Sequence, residues 1–423
     1  MNHLPVSANC GASAATDAAL VRIAEAALDT NYVSLGSRRT ASVHEFYRYP
    51  ARFSPLFARA VIDALTRAGD LVVDPFVGGG TTVVEAQRSA RRAAGSDLSS
   101  LAVFVSRAKT TMYSARGCAQ VKTWADAVRD LRLGEPSRSA PDESGPEGRA
   151  LSTASTWRLR RFIGTALDSL VDIEPPEARA LARCAVLRTA QWALDMKEDT
   201  PAIAVFRDKL AAHAAAMADV ADAFREEVMA TSEMVSPSTP FIRQRSAADL
   251  TTSDLPSSAS PRLVLTSPPY PGVYVNYHRW KIRGRKETGA PFWIAGCPDG
   301  HGLAHYTMGA RADRSGTRYF DGLELAWKKL AQLVRADAWI VQLVGFSEPR
   351  EQLPRYLDVM RRVGFVEQLL PPLANSADQR LWRSVPGRRW WVAADARTAA
   401  APATAREVVL FHRLDSRSSP SVR

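Results

Sequence analysis

Apolar positions along the chain fall into short runs in some regions and into helical stripes in others. Leu71-Val72-Val73 is a short apolar run, preceded by Gly69-Asp70 and closed by Asp74-Pro75, which predicts a buried strand. A glycine-rich turn follows, then a helix-like stretch from Thr81 to about Ser89, and Ala93-Ala94-Gly95-Ser96-Asp97 predicts the next strand. Strand, helix and strand in that order imply parallel pairing through a right-handed crossover. Further on, Ile203, Phe206, Leu210, Met217, Val220, Phe224 and Val228 recur at spacings of three, four or seven. They form one apolar stripe of a long helix, with Pro201 suited to its start, and the stripe reads as a packing seam. Strand signals resume after Pro240, at Phe241 to Ser246, Leu263-Val264-Leu265, Trp339 to Val344, Phe365 to Leu370 and Val408 to Phe411. The total of about seven strands, alternating with helices, predicts an α/β fold: an open, Rossmann-like doubly wound sheet with a helical insertion. The last two strands are expected to form an antiparallel edge.

These signals divide the chain. Residues 1–43 read as an Ala- and Ser-rich extension with one helix near Asp17–Leu28. Residues 44–110 hold the first part of the sheet domain, 111–240 the helical insertion and 241–414 the second part. Residues 134–156, rich in Gly, Pro, Ser and charge, read as an exposed linker, and 415–423 as a disordered tail.

The chain has 423 residues, 46% of them hydrophobic, enough for a sizeable core. Its net charge of +11 favours a polyanionic partner, although charge alone does not establish nucleic acid. No apolar stretch is long enough to cross a bilayer, and Met1 to Thr16 lacks the basic start and apolar run of a secretory leader. Cys10, Cys118, Cys184 and Cys297 are too scattered for a disulfide framework or a zinc pattern, so a reducing cytoplasm is the expected compartment.

The turn Asp74-Pro75-Phe76-Val77-Gly78-Gly79-Gly80-Thr81-Thr82 lies between a strand and a helix. Glycines there permit a sharp turn and close approach of a ligand, and the N–H groups of the helix start attract an anionic group. Asp97, at the end of the next strand, is placed to accept hydrogen bonds from ribose hydroxyls. The turn contains no Lys and departs from the G-x-G-x-x-G spacing, which argues against a phosphate ligand. A ligand with a carboxylate and a ribose fits better, and S-adenosylmethionine is such a ligand.

Leu263-Val264-Leu265-Thr266-Ser267-Pro268-Pro269-Tyr270 runs from a strand into a rigid turn. Two prolines fix the backbone and remove two N–H donors while their carbonyls remain as acceptors. Ser267 and the Pro268 carbonyl can both accept from an amino group, and Tyr270 can stack on a flat ring. With Pro269 these are the candidate catalytic residues. At this point the sequence resembles the amino-methylating DNA methyltransferases, in particular the N4-cytosine branch marked by Ser-Pro-Pro-Tyr. The glycine turn is similar to that family's cofactor motif. His44-Glu45-Phe46-Tyr47-Arg48-Tyr49-Pro50-Ala51-Arg52-Phe53-Ser54-Pro55 looks like the segment that encloses the methionine part of the cofactor, and Gly95-Ser96-Asp97-Leu98 like the ribose-binding strand end. The resemblance covers residues 44–110 and 241–280, with the cofactor motif preceding the catalytic one. It implies a cofactor site of Tyr49, Phe53, Asp74, Phe76, Gly78, Gly80, Thr81, Thr82, Asp97 and Leu98. Asp249, in Ser246-Ala247-Ala248-Asp249, is a looser match to an acidic position near the adenine.

The implied reaction is methyl transfer from S-adenosylmethionine to N4 of a flipped-out cytosine in double-stranded DNA. Acceptors on the amine localise its lone pair for in-line attack, and the proton leaves after transfer because Ser267 is not a strong base. No metal ligand cluster is evident. Arg279, Trp280, Lys281, Arg283, Arg285 and Lys286 follow the catalytic turn and are candidates for phosphate contact and base stacking, against a bland reading as solvated surface. His301 and His305 read as loop or core residues. The insertion over 111–240 is a candidate for target recognition, and a restriction endonuclease of the same system is a candidate partner. The alternatives are N6 of adenine or an RNA base as target, and a catalytically silent DNA-binding protein.

Overall fold

The computed structural model describes residues 14–29, 42–50, 52–133, 141, 145, 148, 151–231, 238–256, 260–271, 278–282, 286–300, 306–309, 316–384 and 406–415. Its frame is a central sheet built from β1 (Leu71–Asp74), β2 (Arg92–Asp97), β3 (Phe241–Gln244), β4 (Leu263–Thr266), β7 (Trp339–Gly345), β8 (Phe365–Glu367), β9 (Leu381–Ser384) and β10 (Arg406–Leu414). The strand order is β3-β2-β1-β4-β7-β10-β8, with β9 also beside β10. From β3 to β7 the strands are parallel, whereas β10 runs antiparallel to β7, β8 and β9. All seven expected strands form. The expected antiparallel pairing of the last two is present as well, with β10 inside and the shorter β8 and β9 sharing its outer side end to end.

Alternation along the strands explains the layers. Val73, Val264, Ile340, Val344 and Leu410 point to one face, against α10 (Thr317–Leu333) and α11 (Pro349–Arg362). Val72, Leu263, Leu265, Val341, Leu343, Val409 and Phe411 point to the other. That second face is covered by α1 (Ala14–Leu28), α2 (Pro55–Leu65) and α3 (Thr81–Arg88). Strands buried on both sides read as continuous apolar runs, as they do in this sequence.

Beyond α3 and α4 (Ser100–Thr110) lies a helical layer of α5 (Ala115–Val128), α6 (Trp157–Asp168), α7 (Pro176–Leu194) and α8 (Ile203–Thr231). The predicted stripe of α8 is largely buried: Phe206, Leu210, Met217, Phe224 and Val228 face inward, while Ile203 and Val220 are half-buried. The layer shares one continuous core with Val84 of α3, Leu101 and Val105 of α4, and the Val43–Phe46 turn. A two-stranded ribbon, β5 (Trp280–Ile282) with β6 (Lys286–Thr288), and α9 (Ala290–Ala295) close the same core. The helical insertion is therefore packed into the sheet domain through a common interior. Of the expected linker, Leu151 is buried in this core, while 134–140 and most of 141–150 lie outside the described residues, as do 416–423. No helix among the described residues is long and apolar enough to cross a membrane.

What this frame positions is a crevice. From β1 the chain moves outward to β2 and β3 on one side, and from β4 it moves to β7 on the other. The carboxyl ends of β1 and β4 thus flank a topological switch point, where open α/β sheets bind ligands. The ribbon has its own structural consequence. Trp280 is 1% exposed, and its Nε1 donates to the Tyr47 hydroxyl at 3.1 Å. Truncation of Trp280 to Ala is expected to lower stability by about 3–5 kcal/mol, the range for a large core aromatic. Chemical denaturation measures this, and a change within about 0.5 kcal/mol would place the indole on the surface instead.

Candidate active site

The glycine turn is built by close approach. Gly80 caps α3 in the left-handed region, at φ 83°, and a Cβ there would lie 3.0 Å from the Ser106 hydroxyl. A Cβ on Gly79 would lie 2.8 Å from that of Tyr49, so the Tyr49 ring rests directly on the turn. The turn is held from below by α4: Ser106 Oγ donates to the Gly78 carbonyl at 2.9 Å and Lys109 Nζ to the Gly79 carbonyl at 2.8 Å. Lys109 is buried, and loss of hydration pushes its ammonium down to about 7. Sequence reasoning missed it, since a lysine outside the turn carries no motif.

Asp97 ends β2 beside the turn and is half-buried. Its carboxylate accepts from Gly78 N and Ser99 N, both at 2.9 Å. A carboxylate offers about four acceptor positions, so two remain for a diol. Burial raises this carboxyl to about 6, against the opposing backbone hydrogen bonds. Leu98 follows, 38% exposed, and Ser100 Oγ donates to the Pro298 carbonyl at 2.5 Å, which brings the 297–300 segment along this edge.

The two motifs, far apart in sequence, are joined in the crevice. Thr266 Oγ1 donates to Asp74 Oδ1 at 2.6 Å, and Thr82 Oγ1 donates to the Leu265 carbonyl at 3.0 Å. Asp74 also accepts from Phe76 N at 3.1 Å. Burial pushes the Asp74 carboxyl up to about 6, although these donors favour its charged form. Thr81 and Thr82 are buried, while Phe76 and Gly78 are half-buried at the turn surface.

Immediately after Thr266, Ser267 is half-buried. Its hydroxyl donates to the Tyr270 hydroxyl at 3.1 Å, and that of Tyr270 donates to Glu407 Oε1 at 2.5 Å. Gly345 makes room for this, because a Cβ there would lie 2.8 Å from the Tyr270 ring. Tyr270 is 9% exposed, so most of its ring packs against β7. The Pro269 carbonyl accepts from Tyr319 at 2.8 Å, and no described residue donates to the Pro268 carbonyl.

The remaining predicted residues have varied surroundings. Tyr49 Oη shares a hydrogen bond of 3.0 Å with His278 Nδ1, and burial brings that imidazole down to about 3, so it is neutral at physiological pH. Phe53 packs edge-on to Phe57 in the core on the α2 face of the sheet. Asp249 stands exposed in a short helical turn after β3. The described residues of the basic run differ in their surroundings. Trp280 is core and Arg279 is ion-paired with Asp299 at 2.6 Å. Lys281 is half-buried and Lys286 exposed, while Arg283, Arg285, His301 and His305 lie outside the described residues. The Val43–Phe46 segment is anchored by His44 Nε2 on Glu85 at 2.8 Å. Burial alone would raise Glu85, but His44, Arg59 and Arg88 outweigh it and bring the carboxyl down to about 2.

The arrangement fits a nucleoside ligand with an amino-acid tail. Asp97 has spare acceptors for a diol, the turn offers helix-start N–H groups, and no phosphate-binding lysine stands within it. Residues 29–105 match the family model described as DNA methylase, a span that holds the Tyr49 segment, the glycine turn and Asp97 but ends well before Ser267. Two solved structures of the rRNA methyltransferase aviRa from Streptomyces viridochromogenes align with 76% of this chain and with 84% and 83% of theirs. Identity is 13%, with TM-scores of 0.32 and 0.31. A likeness this slight assigns no substrate. No curated protein matches the chain.

The Asp97 carboxyl sets a pH dependence. Above its raised value of about 6 it is a full acceptor; as pH falls through 6 it takes a proton and one oxygen becomes a donor. Affinity for S-adenosylhomocysteine is therefore expected to weaken below that point and to plateau above it. Calorimetry from about pH 5 to about pH 8 checks this, and Asp97→Asn is expected to bind weakly without the Asp97 inflection. An unchanged inflection in that variant would assign it elsewhere.

Proposed function

We propose that this chain is an S-adenosylmethionine-dependent methyltransferase acting on an exocyclic ring amine of DNA, with N4 of cytosine as the target. The observation that carries this reading is the junction of the two motifs at the switch point, through Asp74–Thr266 and Thr82–Leu265. It supports a reading in which the Asp97 edge and the Ser-Pro-Pro-Tyr turn serve one ligand site. The match of residues 29–105 to the DNA methylase family supports the class of reaction.

Asp97 would hold the ribose, and the glycine turn with the start of α3 the carboxylate end. The bound cofactor supplies an electrophilic methyl group on a sulfonium. Ser267 Oγ accepts from the amine N–H, which favours a pyramidal nitrogen with a localised lone pair. The Pro268 carbonyl is a second acceptor on the same rigid turn. Preorganised acceptors stabilise positive charge as it grows on that nitrogen. A base inside a duplex cannot reach a crevice at the strand ends, so the target is flipped out. Trp280 and Arg279 are engaged within the fold, so DNA contact falls to other surface residues, Lys286 among them.

The test is mass spectrometry of nucleosides from DNA of cells expressing the protein, against Ser267→Ala. N4-methylcytosine is expected with the wild type, with in vitro turnover lowered roughly 10² to 10³-fold in the variant. N6-methyladenine would move the target base within the class. No methylated base in DNA or RNA would overturn the enzyme reading.

A further inference from the structure

Glu407 lies at the head of β10, opposite Gly345 of β7 on one side and Arg383 of β9 on the other. It is 4% exposed. Oε1 accepts from the Tyr270 hydroxyl at 2.5 Å, and Oε2 faces Arg383 Nε at 3.2 Å. Ser267, Tyr270 and Glu407 thus form a chain of two hydrogen bonds running from the crevice into the sheet.

The chain has a direction, and chemistry fixes it from the buried end. A carboxylate only accepts, and the Arg383 guanidinium faces its second oxygen. The single hydroxyl hydrogen of Tyr270 is therefore committed to Glu407, and the Tyr270 oxygen can only accept from Ser267. The Ser267 hydrogen is committed in turn, so its oxygen turns lone pairs alone toward the crevice. An oxygen presented this way accepts from a ring amino group and repels a ring carbonyl.

We propose that Glu407 is a positioning residue that sets the polarity of Ser267 through Tyr270, and so selects an exocyclic amine over an exocyclic carbonyl. The inference rests on Ser267 being the group that meets the amine. A glutamine at position 407 can turn its amide to donate to Tyr270, which would allow the chain to reverse.

The experiment is a double-mutant cycle on the full-length protein with Glu407→Gln, Tyr270→Phe and both together. Single-turnover methyl transfer and S-adenosylhomocysteine affinity are read on each. Glu407→Gln is expected to slow transfer roughly 10- to 100-fold, the scale of losing a charge-assisted hydrogen bond, with cofactor affinity unchanged. The double variant is expected to be no slower than Tyr270→Phe alone, since the proposed effect of Glu407 on Ser267 runs through that hydroxyl. Losses that multiply independently, or a wild-type rate in Glu407→Gln, would overturn the assignment. A second readout does not depend on turnover. The hydroxyl-proton resonance of Tyr270, identified by its loss in Tyr270→Phe, is expected far downfield in the wild type and to move upfield in Glu407→Gln. An unmoved resonance overturns the proposal. A wild-type protein that transfers no methyl group overturns the function reading alone, because the resonance still reports the direction of the chain. Should Glu407→Gln fail to fold by removing a carboxylate from beside the buried Arg383 cation, Glu407→Gln combined with Arg383→Met carries the same test.

Discussion

The hydrogen bond from Thr266 to the buried Asp74 carboxylate joins the two halves of the chain at the switch point of the sheet. Asp74 closes β1 and begins the glycine turn, and Thr266 closes β4 and begins the Ser-Pro-Pro-Tyr turn. Parallel pairing of β1 with β4 puts the strand ends side by side, with Val73 opposite Val264. The Asp74–Thr266 bond then fixes the turns that leave them. Thr82, at the start of α3, repeats the constraint by bonding back to Leu265. An unsatisfied carboxylate at this depth would cost about 1–3 kcal/mol or more, so the junction is also part of the stability of the fold.

Around that junction the chain layers supports that leave polar groups aimed at the crevice. Ser106 and Lys109 hold the glycine-turn carbonyls from beneath, and Tyr49 lies across Gly79. On the other flank, Gly345 admits the Tyr270 ring and Glu407 takes its hydroxyl. The helical layer contributes to this indirectly. Its core is continuous with α3 and α4, so its packing helps to set where the turn and its supports stand.

Much of the sheet was legible because strands buried on both faces announce themselves as short apolar runs. Leu71–Val73, Leu263–Leu265 and Val408–Phe411 were visible on that ground, and the stripe from Ile203 to Val228 gave the long helix. The short Leu381–Ser384 strand and the Trp280–Ile282 ribbon escaped, since both mix charged and apolar residues over three or four positions. In the crevice, the glycine turn, Asp97 and the Ser-Pro-Pro-Tyr turn were readable because each is a local segment with its own backbone chemistry. Glu407 was not, for its role depends on β10 entering the sheet antiparallel beside β7, a long-range pairing that no local pattern reports. In the basic run, two residues have neighbours that no local pattern reports. Its charge and aromatic content suggested a surface, but Trp280 is buried and Arg279 is neutralised by Asp299.

The proposed function requires the Asp97 edge and the Ser-Pro-Pro-Tyr turn to serve one bound complex. A structure of the protein with S-adenosylhomocysteine tests it most directly. The expected complex has ribose hydroxyls on the Asp97 carboxylate, the amino-acid end over the glycine turn beneath Tyr49, and the sulfur facing Ser267. A nucleoside bound at the opposite end of the strands, in the groove of about 490 Å³ lined by Arg67, Asp70, Arg262 and Arg335, would contradict it. So would a ligand in the crevice whose sulfur turns away from Ser267.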